Sequence, residues 1–409
     1  MLLLNLENLD KYALATISMK HKHIVVKLVM SLMRRIVIAY ARRLAERKSK
    51  NKTMVLCVYP DLSKPTFVAE YNSQAYHYLT NKMLPDASDG LRRAIMRLTS
   101  IHPSIDTFVV VDKEKYTCEK NQYFQTLFTL TELKELSMLE IKTSNPLAFS
   151  FTETAVPRYV VRLGDKNDIR LHQRKIELYK RGLTCIPEPV ATFSGTDHSL
   201  IYERALRGES WFTVLEKIDL QTVRTLSILG LLNFNNQIKT VCEPSTINMR
   251  AVAMNVAKSV TSRNVELLTE TNQRLLTTKL LDSVETLSEA DVNVYPTHGD
   301  FCVNNLIFDG NSVRVVDLED FDKFKFPYFD EVALAVSLAL LSAEHKSASF
   351  TLQGVKDEFD NIIDVCSKED MKQLSFDALL SYFILTRFDQ WGDNAARKPY
   401  LECLVELIR

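Results

Sequence analysis

Residues His298 to Glu319 constrain the fold more than any other stretch. They read as strand, turn, strand, and bring an acid, an amide and a second acid together. Asp300 lies five residues before Asn305, and Asp317 twelve beyond it. Leu306-Ile307-Phe308 is a short apolar run, Asp309-Gly310-Asn311-Ser312 is a hairpin turn signal, and Val313 to Val316 is a β-branched return strand. A hairpin of this length returns Asp317 to the end that carries Asn305. Both oxygens can then face one hard cation, as magnesium prefers. A carboxylate to orient a hydroxyl, plus an amide and a carboxylate on magnesium, is the minimum set for phosphoryl transfer, where the protein positions groups and neutralises charge.

The segment resembles the aminoglycoside phosphotransferase and choline kinase-like family, small-molecule relatives of the protein kinases. The family pattern is His-Gly-Asp, four residues, Asn, then an apolar strand ending in Asp with an acid two positions on. His298-Gly299-Asp300, Asn305, Asp317 and Glu319 follow it. Pro327-Tyr328-Phe329-Asp330 then opens a helix, again as in the family. The resemblance implies that Asp300 is the catalytic aspartate that orients the acceptor hydroxyl and accepts its proton, backed by His298, and that Asn305 and Asp317 hold Mg2+. Glu319 is either a second metal ligand or a solvated acid. Asp330 would brace the catalytic loop, while Asp320 and Asp322 read as surface charge.

Upstream, residues 136–207 can be read as a kinase-like N-lobe. Two strands, Leu139–Lys142 and Ala148–Thr152, are joined by residues 143–147. A third strand ends at Arg162-Leu163, and a charged helix follows from Asp168, a plausible N-cap, to Arg181, with Gly182 as its stop. A proline-containing segment leads to Leu200-Ile201-Tyr202-Glu203. By resemblance, Arg162 stands where a lysine holds the nucleotide phosphates, with Glu177 as its helix partner. Glu203 to Ala205 would be the hinge that meets the base. The loop at 143–147 has no glycine, so Ser144 and Asn145 are the candidate phosphate donors there.

Composition excludes several classes. Lys plus Arg and Asp plus Glu both number 51, so no net charge draws the whole chain to nucleic acid. Seven scattered cysteines without a Cys-x-x-Cys pair argue for reduced thiols in a cytoplasm and against zinc. With only 10 glycines, the chain has neither a Gly-x-Gly-x-x-Gly nor a Walker sequence. No export leader and no spanning segment is expected.

The expected fold is α+β: a protein kinase-like two-lobe domain with a small β-rich N-lobe (136–207) and a mainly helical C-lobe (208–409), behind an N-terminal α/β extension (1–135). Within the extension, residues 24–44 read as an amphipathic helix with a basic face extended to residue 52. It packs on its own domain in the preferred reading, with peripheral contact to an anionic membrane as the alternative. Strands are expected at Met54–Tyr59, Thr66–Tyr71 and Thr107–Val111, and helices at Ser73–Met83 and Asp89–Ser100. Residues 116–135 read as a connector. Residues 211–294 and those after Asp330 read as helical, with Arg387, Asp389 and Trp391 as residues that could reach an acceptor. The resemblance implies an ATP- or GTP-dependent phosphotransferase acting on a hydroxyl of a small polar molecule: an aminoglycoside, a choline-like or amino-alcohol compound, or a sugar. The alternative is a nucleotide-binding pseudokinase that scaffolds a partner through residues 1–135.

Overall fold

The computed structural model describes residues 13–18, 36–47, 52–60, 65–84, 105, 107–142, 147–194, 199–215, 217–262, 270–287, 291–310, 312–366 and 374–408. The chain forms two compact units, Met1–Glu177 with Pro187–Arg207, and Leu178–Ile186 with Gly208–Arg409. The fold class is α+β: the first unit is built on one large sheet with helices against it, and the second is mainly helical. Among the described residues, no helix is long and apolar enough to cross a membrane.

In the first unit, nine described strands make one antiparallel sheet. In chain order they are β1 (Ala13–Ser18), β2 (Thr53–Tyr59), β3 (Phe67–Glu70), β4 (Thr107–Asp112), β5 (Ser137–Ile141), β6 (Leu147–Phe151), β7 (Tyr159–Gly164), β8 (Pro189–Ser194) and β9 (Ser199–Arg204). Their order across the sheet is β1-β4-β2-β3-β5-β6-β7-β9-β8. The separation expected at residue 135 leaves no break in this sheet: β3 pairs with β5 through Phe67↔Ile141, Val68↔Glu140 and Ala69↔Leu139. Both faces are covered, which is why strands such as β4 read as continuous apolar runs rather than alternating ones. One face packs Leu56, Val109, Val111, Val161 and Tyr202 against Tyr123, Phe124, Phe128 and Leu133. The other packs Val55, Cys57, Phe108 and Val110 against Ile38, Ala75, Tyr76 and Leu79.

The described helices of this unit include α1 (residues 36–47), α2 (Gln74–Tyr78), α3 (Lys113–Phe124), α4 (Leu130–Glu135) and α5 (Lys166–Arg181), whose residues from Leu178 on belong to the second unit. Residues 116–135 are therefore two helices rather than a connector. Asp112 caps α3, and a Thr129–Glu132 capping box starts α4. The described part of the expected helix at 24–44 is α1. It buries Ile38 and Ala45, while Ile36 and Tyr40 of the expected apolar stripe are exposed. Residues 24–35 and the helix expected at 89–100 lie outside the described residues. Asp165, not Asp168, caps α5: its carboxylate accepts from the Asn167 and Asp168 amides, and Asp168 accepts back from the Asp165 amide. Between β5 and β9, strands and helix occur in the order that the resemblance implies.

The second unit holds α6 (Trp211–Val214), α7 (Leu220–Val241), α8 (Met249–Ser262), α9 (Glu270–Glu285), α10 (Phe329–Lys346), α11 (Leu352–Cys366), α12 (Phe376–Trp391) and α13 (Lys398–Glu406). A three-stranded sheet runs β10 (Glu209–Ser210), β13 (Leu306–Asp309), β14 (Ser312–Val315). The region 211–294, read as helical throughout, also contains a ladder between β11 (Ser245–Asn248) and β12 (Asp291–Val294). The segment 178–186 joins this unit because it is tied to the hairpin and α7. The Val315 amide donates to the Cys185 carbonyl, and Gln237 accepts from the amides of Thr184 and Cys185.

Candidate active site

The ladder β13–β14 places Leu306 opposite Val315, and the Val316 amide donates to the Asn305 carbonyl at 2.9 Å. Asn305 and Asp317 therefore leave the same end of the hairpin, as their spacing predicts. Asp317 turns there in the left-handed region, at φ 61°. An aspartate tolerates that conformation better than most side chains.

Residues 298–305 form a short loop, ending in a 3-10 turn at Val303–Asn305, that is held largely by groups from other elements. The Asp330 carboxylate, buried in the first turn of α10, accepts from the His298 amide at 2.6 Å and the Gly299 amide at 2.9 Å. Burial pushes the Asp330 carboxyl up to about 7, against the pull of these two amide bonds. His298 is fully buried. One ring nitrogen, Nδ1, accepts from the Asp300 amide at 3.2 Å, and Nε2 lies 2.9 Å from the Val316 carbonyl. That pairing fits a neutral imidazole with the proton on Nε2, and burial lowers the His298 pKa in agreement. His298 thus links the loop bearing Asp300 to the strand end bearing Asp317, and its geometry gives it a tethering role.

Asn305 directs its amide nitrogen inward, to the Asp300 carbonyl at 2.8 Å and the Asp300 Oδ2 at 3.2 Å. Its Oδ1, the atom a hard cation takes, is left out of these bonds. Asn304 faces away and accepts from the Trp211 indole at 2.5 Å. Glu319 is half-buried two residues beyond Asp317. Among the described residues, no three His, Cys, Asp or Glu side chains converge as a metal cage. The amide and carboxylate oxygens at the hairpin end fit a cation that keeps waters and takes phosphate oxygens, which is magnesium's habit.

Three further residues shape this site: Gln390, which the sequence does not single out; Arg387, which it offers only as a residue that could reach an acceptor; and Asp320, which reads there as surface charge. Arg387 of α12, fully buried, donates to the Gly299 carbonyl at 2.8 Å and to Asp300 Oδ1 at 3.0 Å. Gln390, one turn on, accepts from Arg387 at 2.9 Å and donates to Asp320 at 2.7 Å. Asp320 is accordingly buried, not surface charge. The one sequence signal for Arg387 is an arginine inside an otherwise apolar helix.

In the first unit, the residues expected to bind nucleotide arrange differently from the expectation. Arg162 lies 3.6 Å from Asp168, while Glu177 is exposed on the outer face of α5 and does not pair with it. The inner face of α5 carries His172 and Lys175 instead. Lys175 pairs with Glu203 of β9 at 3.0 Å, and the His172 ring lies 3.7 Å from the same carboxylate. Burial would raise the Glu203 carboxyl, but Lys175, His172 and Arg162 outweigh it and hold the group at about 2. The Ala205 amide donates to the Arg158 carbonyl at 3.0 Å. Ser144 and Asn145 lie outside the described residues.

No protein-family model and no curated protein sequence matches the chain. Its structure is similar to that of aminoglycoside phosphotransferase APH(4)-Ia, at 12% identity and a TM-score of 0.46, over 71% of this chain and 98% of that one. A Plasmodium vivax ethanolamine kinase is similar over 79% of this chain and 94% of its own, at 12% identity and a TM-score of 0.44. The gentamicin complex of APH(2")-IIa is similar over 73% and 96%, at 16% identity and a TM-score of 0.43.

Proposed function

We propose that the chain is a small-molecule kinase that transfers the γ-phosphoryl group of ATP or GTP to a hydroxyl of a small polar acceptor. The observation that carries this reading is the meeting of Asp300, Asn305 and Asp317 at one end of the β13–β14 hairpin, on a loop fixed by Asp330 and His298. In the reaction the acceptor oxygen forms a bond to the γ-phosphorus. The bond from that phosphorus to the β-bridging oxygen breaks, the nucleoside diphosphate leaves, and the acceptor proton passes to Asp300. Asp300 orients the hydroxyl before it takes the proton. Asn305 Oδ1 and the Asp317 carboxylate would hold magnesium, and Glu319 is a further candidate ligand. The ion, when bound, supplies charge neutralisation at the phosphates. Arg162 is the proposed phosphate cation of the first unit, paired with Asp168.

A thermal-shift titration with ATP and GTP, with and without magnesium, tests the site, because a ligand that binds only the folded state raises the melting temperature. The expected result is a magnesium-dependent rise in wild type that is lost in Asp317→Ala. Asp300→Ala is expected to keep the rise and lose turnover by about 1,000-fold or more. Substantial turnover in Asp300→Ala removes Asp300 from its role. One observation favours the second reading, a nucleotide-binding scaffold: the ion pair under α5 runs from helix lysine to strand glutamate. Nucleotide binding without turnover on any alcohol would decide for it.

A further inference from the structure

A buried arginine needs a reason, because removing a guanidinium from water is expensive and a hydrophobic side chain of similar size is often no worse for stability. Helix α12 buries every residue from Ala378 to Phe388, and Arg387 is the charged one among them. Its surroundings fix both the position and the plane of the guanidinium. The Phe383 and Trp391 rings lie 4.8 and 4.5 Å from its central carbon, with Phe329 and Phe324 at 5.4 and 5.8 Å. Two of its nitrogens are then aimed by hydrogen bonds. Nη2 donates to the Gly299 carbonyl and to Asp300 Oδ1, and Nη1 donates to Gln390. Gln390 in turn donates to Asp320, whose carboxylate also lies 4.0 Å from Nη1.

The consequence falls on Asp300. Its Oδ1 is held by Arg387 at 3.0 Å and its Oδ2 by Asn305 at 3.2 Å, so the carboxylate is gripped from two sides. The same arginine nitrogen holds the backbone one residue earlier, through the Gly299 carbonyl. Main chain and side chain of the reacting residue are thus tied to one rigid group. A lysine cannot reproduce this, since an ammonium is a point charge without the planar fork.

We propose that Arg387 is the positioning residue of the phosphoryl-transfer site: braced by Asp320 and Gln390 within an aromatic box, it sets the orientation of the Asp300 carboxylate toward the acceptor hydroxyl. This rests on the reading of Asp300 as the group that orients and deprotonates the acceptor. Arg387 acts through Asp300 and touches no reacting atom. A displacement of the catalytic carboxylate by about 1 Å is enough to lower turnover about 100-fold.

The test is a double-mutant cycle on magnesium–ATP turnover with water as the acceptor, using Arg387→Met, Asp300→Asn and the double variant, with melting temperatures for each. Arg387→Met is expected to lower kcat about 100-fold with little change in KM. In the Asp300→Asn background the same change should have almost no further effect on kcat, because the group it positions is gone. Arg387→Lys, which keeps the charge and most of the bulk, guards against loss of folding. It should hold the wild-type magnesium–ADP thermal shift, yet recover only a small part of kcat. Added guanidinium ion should raise the kcat of Arg387→Ala. The proposal is overturned if the two single losses multiply in the double variant, or if Arg387→Met turns over like wild type while Asp300→Asn does not. Full turnover in Asp300→Asn is a different result: it removes the catalytic reading of Asp300 itself, and the positioning role with it.

Discussion

Gly299 shows how narrowly the loop is specified at the residue scale. Its φ is +86°, and a Cβ added there would stand 2.8 Å from the Asp320 Cβ. Gly299→Ala therefore meets a left-handed backbone penalty and a clash at once. We expect a loss of about 1–3 kcal/mol in stability and a larger loss of turnover, because Asp300 is the next residue. Parallel melting and turnover measurements check this, and a variant with wild-type kcat would show the loop to be tolerant. The shared hairpin end of Asn305 and Asp317 was legible because a hairpin's period converts spacing into geometry. Arg387 stood out only as a residue that could reach an acceptor, and Gln390 not at all, because both come to the loop from α12, Arg387 lying 87 residues beyond Asp300. Asp320 looked like one acid among several in sequence, and only the arrival of α12 buries it.

At the scale of the element, α5 was legible as a helix and misread in its facing. Its inner face carries His172 and Lys175, polar residues that an apolar stripe does not mark, and Glu177 falls outside. The reason is Glu203 of β9, a strand carboxylate that needs a buried partner. This pair has a pH signature. Glu203 is held at about 2 in the fold against an ordinary 4.5, so its contribution to stability is present above 4.5 and is lost as pH falls from there toward 2. Glu203→Gln should cost about 3 kcal/mol near neutrality, because it strands the Lys175 ammonium, and should flatten the acid limb of the stability curve over that window. Denaturant melts of both proteins between neutral and acid pH read the two effects together. An unchanged acid limb would mean that other carboxylates dominate it.

For the molecule as a whole, the sequence separated residues 1–135 from a kinase-like domain, and that break is absent from the sheet. The separation rested on motifs, which are dense after residue 136 and absent before it, whereas strand pairing follows apolar surface. Chain distance hid the link: β3 and β5 are some 70 residues apart in sequence, yet adjacent in the sheet. Residues before 136 also supply Tyr123, Phe124, Phe128 and Leu133, which cover Val161 and Tyr202 of the later strands. Phe128 packs edge-on to Tyr159, and the Tyr202 hydroxyl donates to the Tyr123 carbonyl. Burying each large apolar side chain contributes about 1.5–3 kcal/mol, and a domain's whole margin is about 5–15 kcal/mol. Deleting 1–135 removes several of these at once and leaves β5 as an unpaired edge, open to association with other chains. A 136–409 fragment is therefore expected to be aggregated or unfolded, although it contains Arg162, Asp300, Asn305 and Asp317. Size-exclusion chromatography and hydrogen exchange on fragment and full chain distinguish the cases. A monomeric fragment whose strands 137–164 are as protected as in the full chain would show that the first 135 residues are an appendage. Loss of protection confined to those strands would show that they complete the sheet.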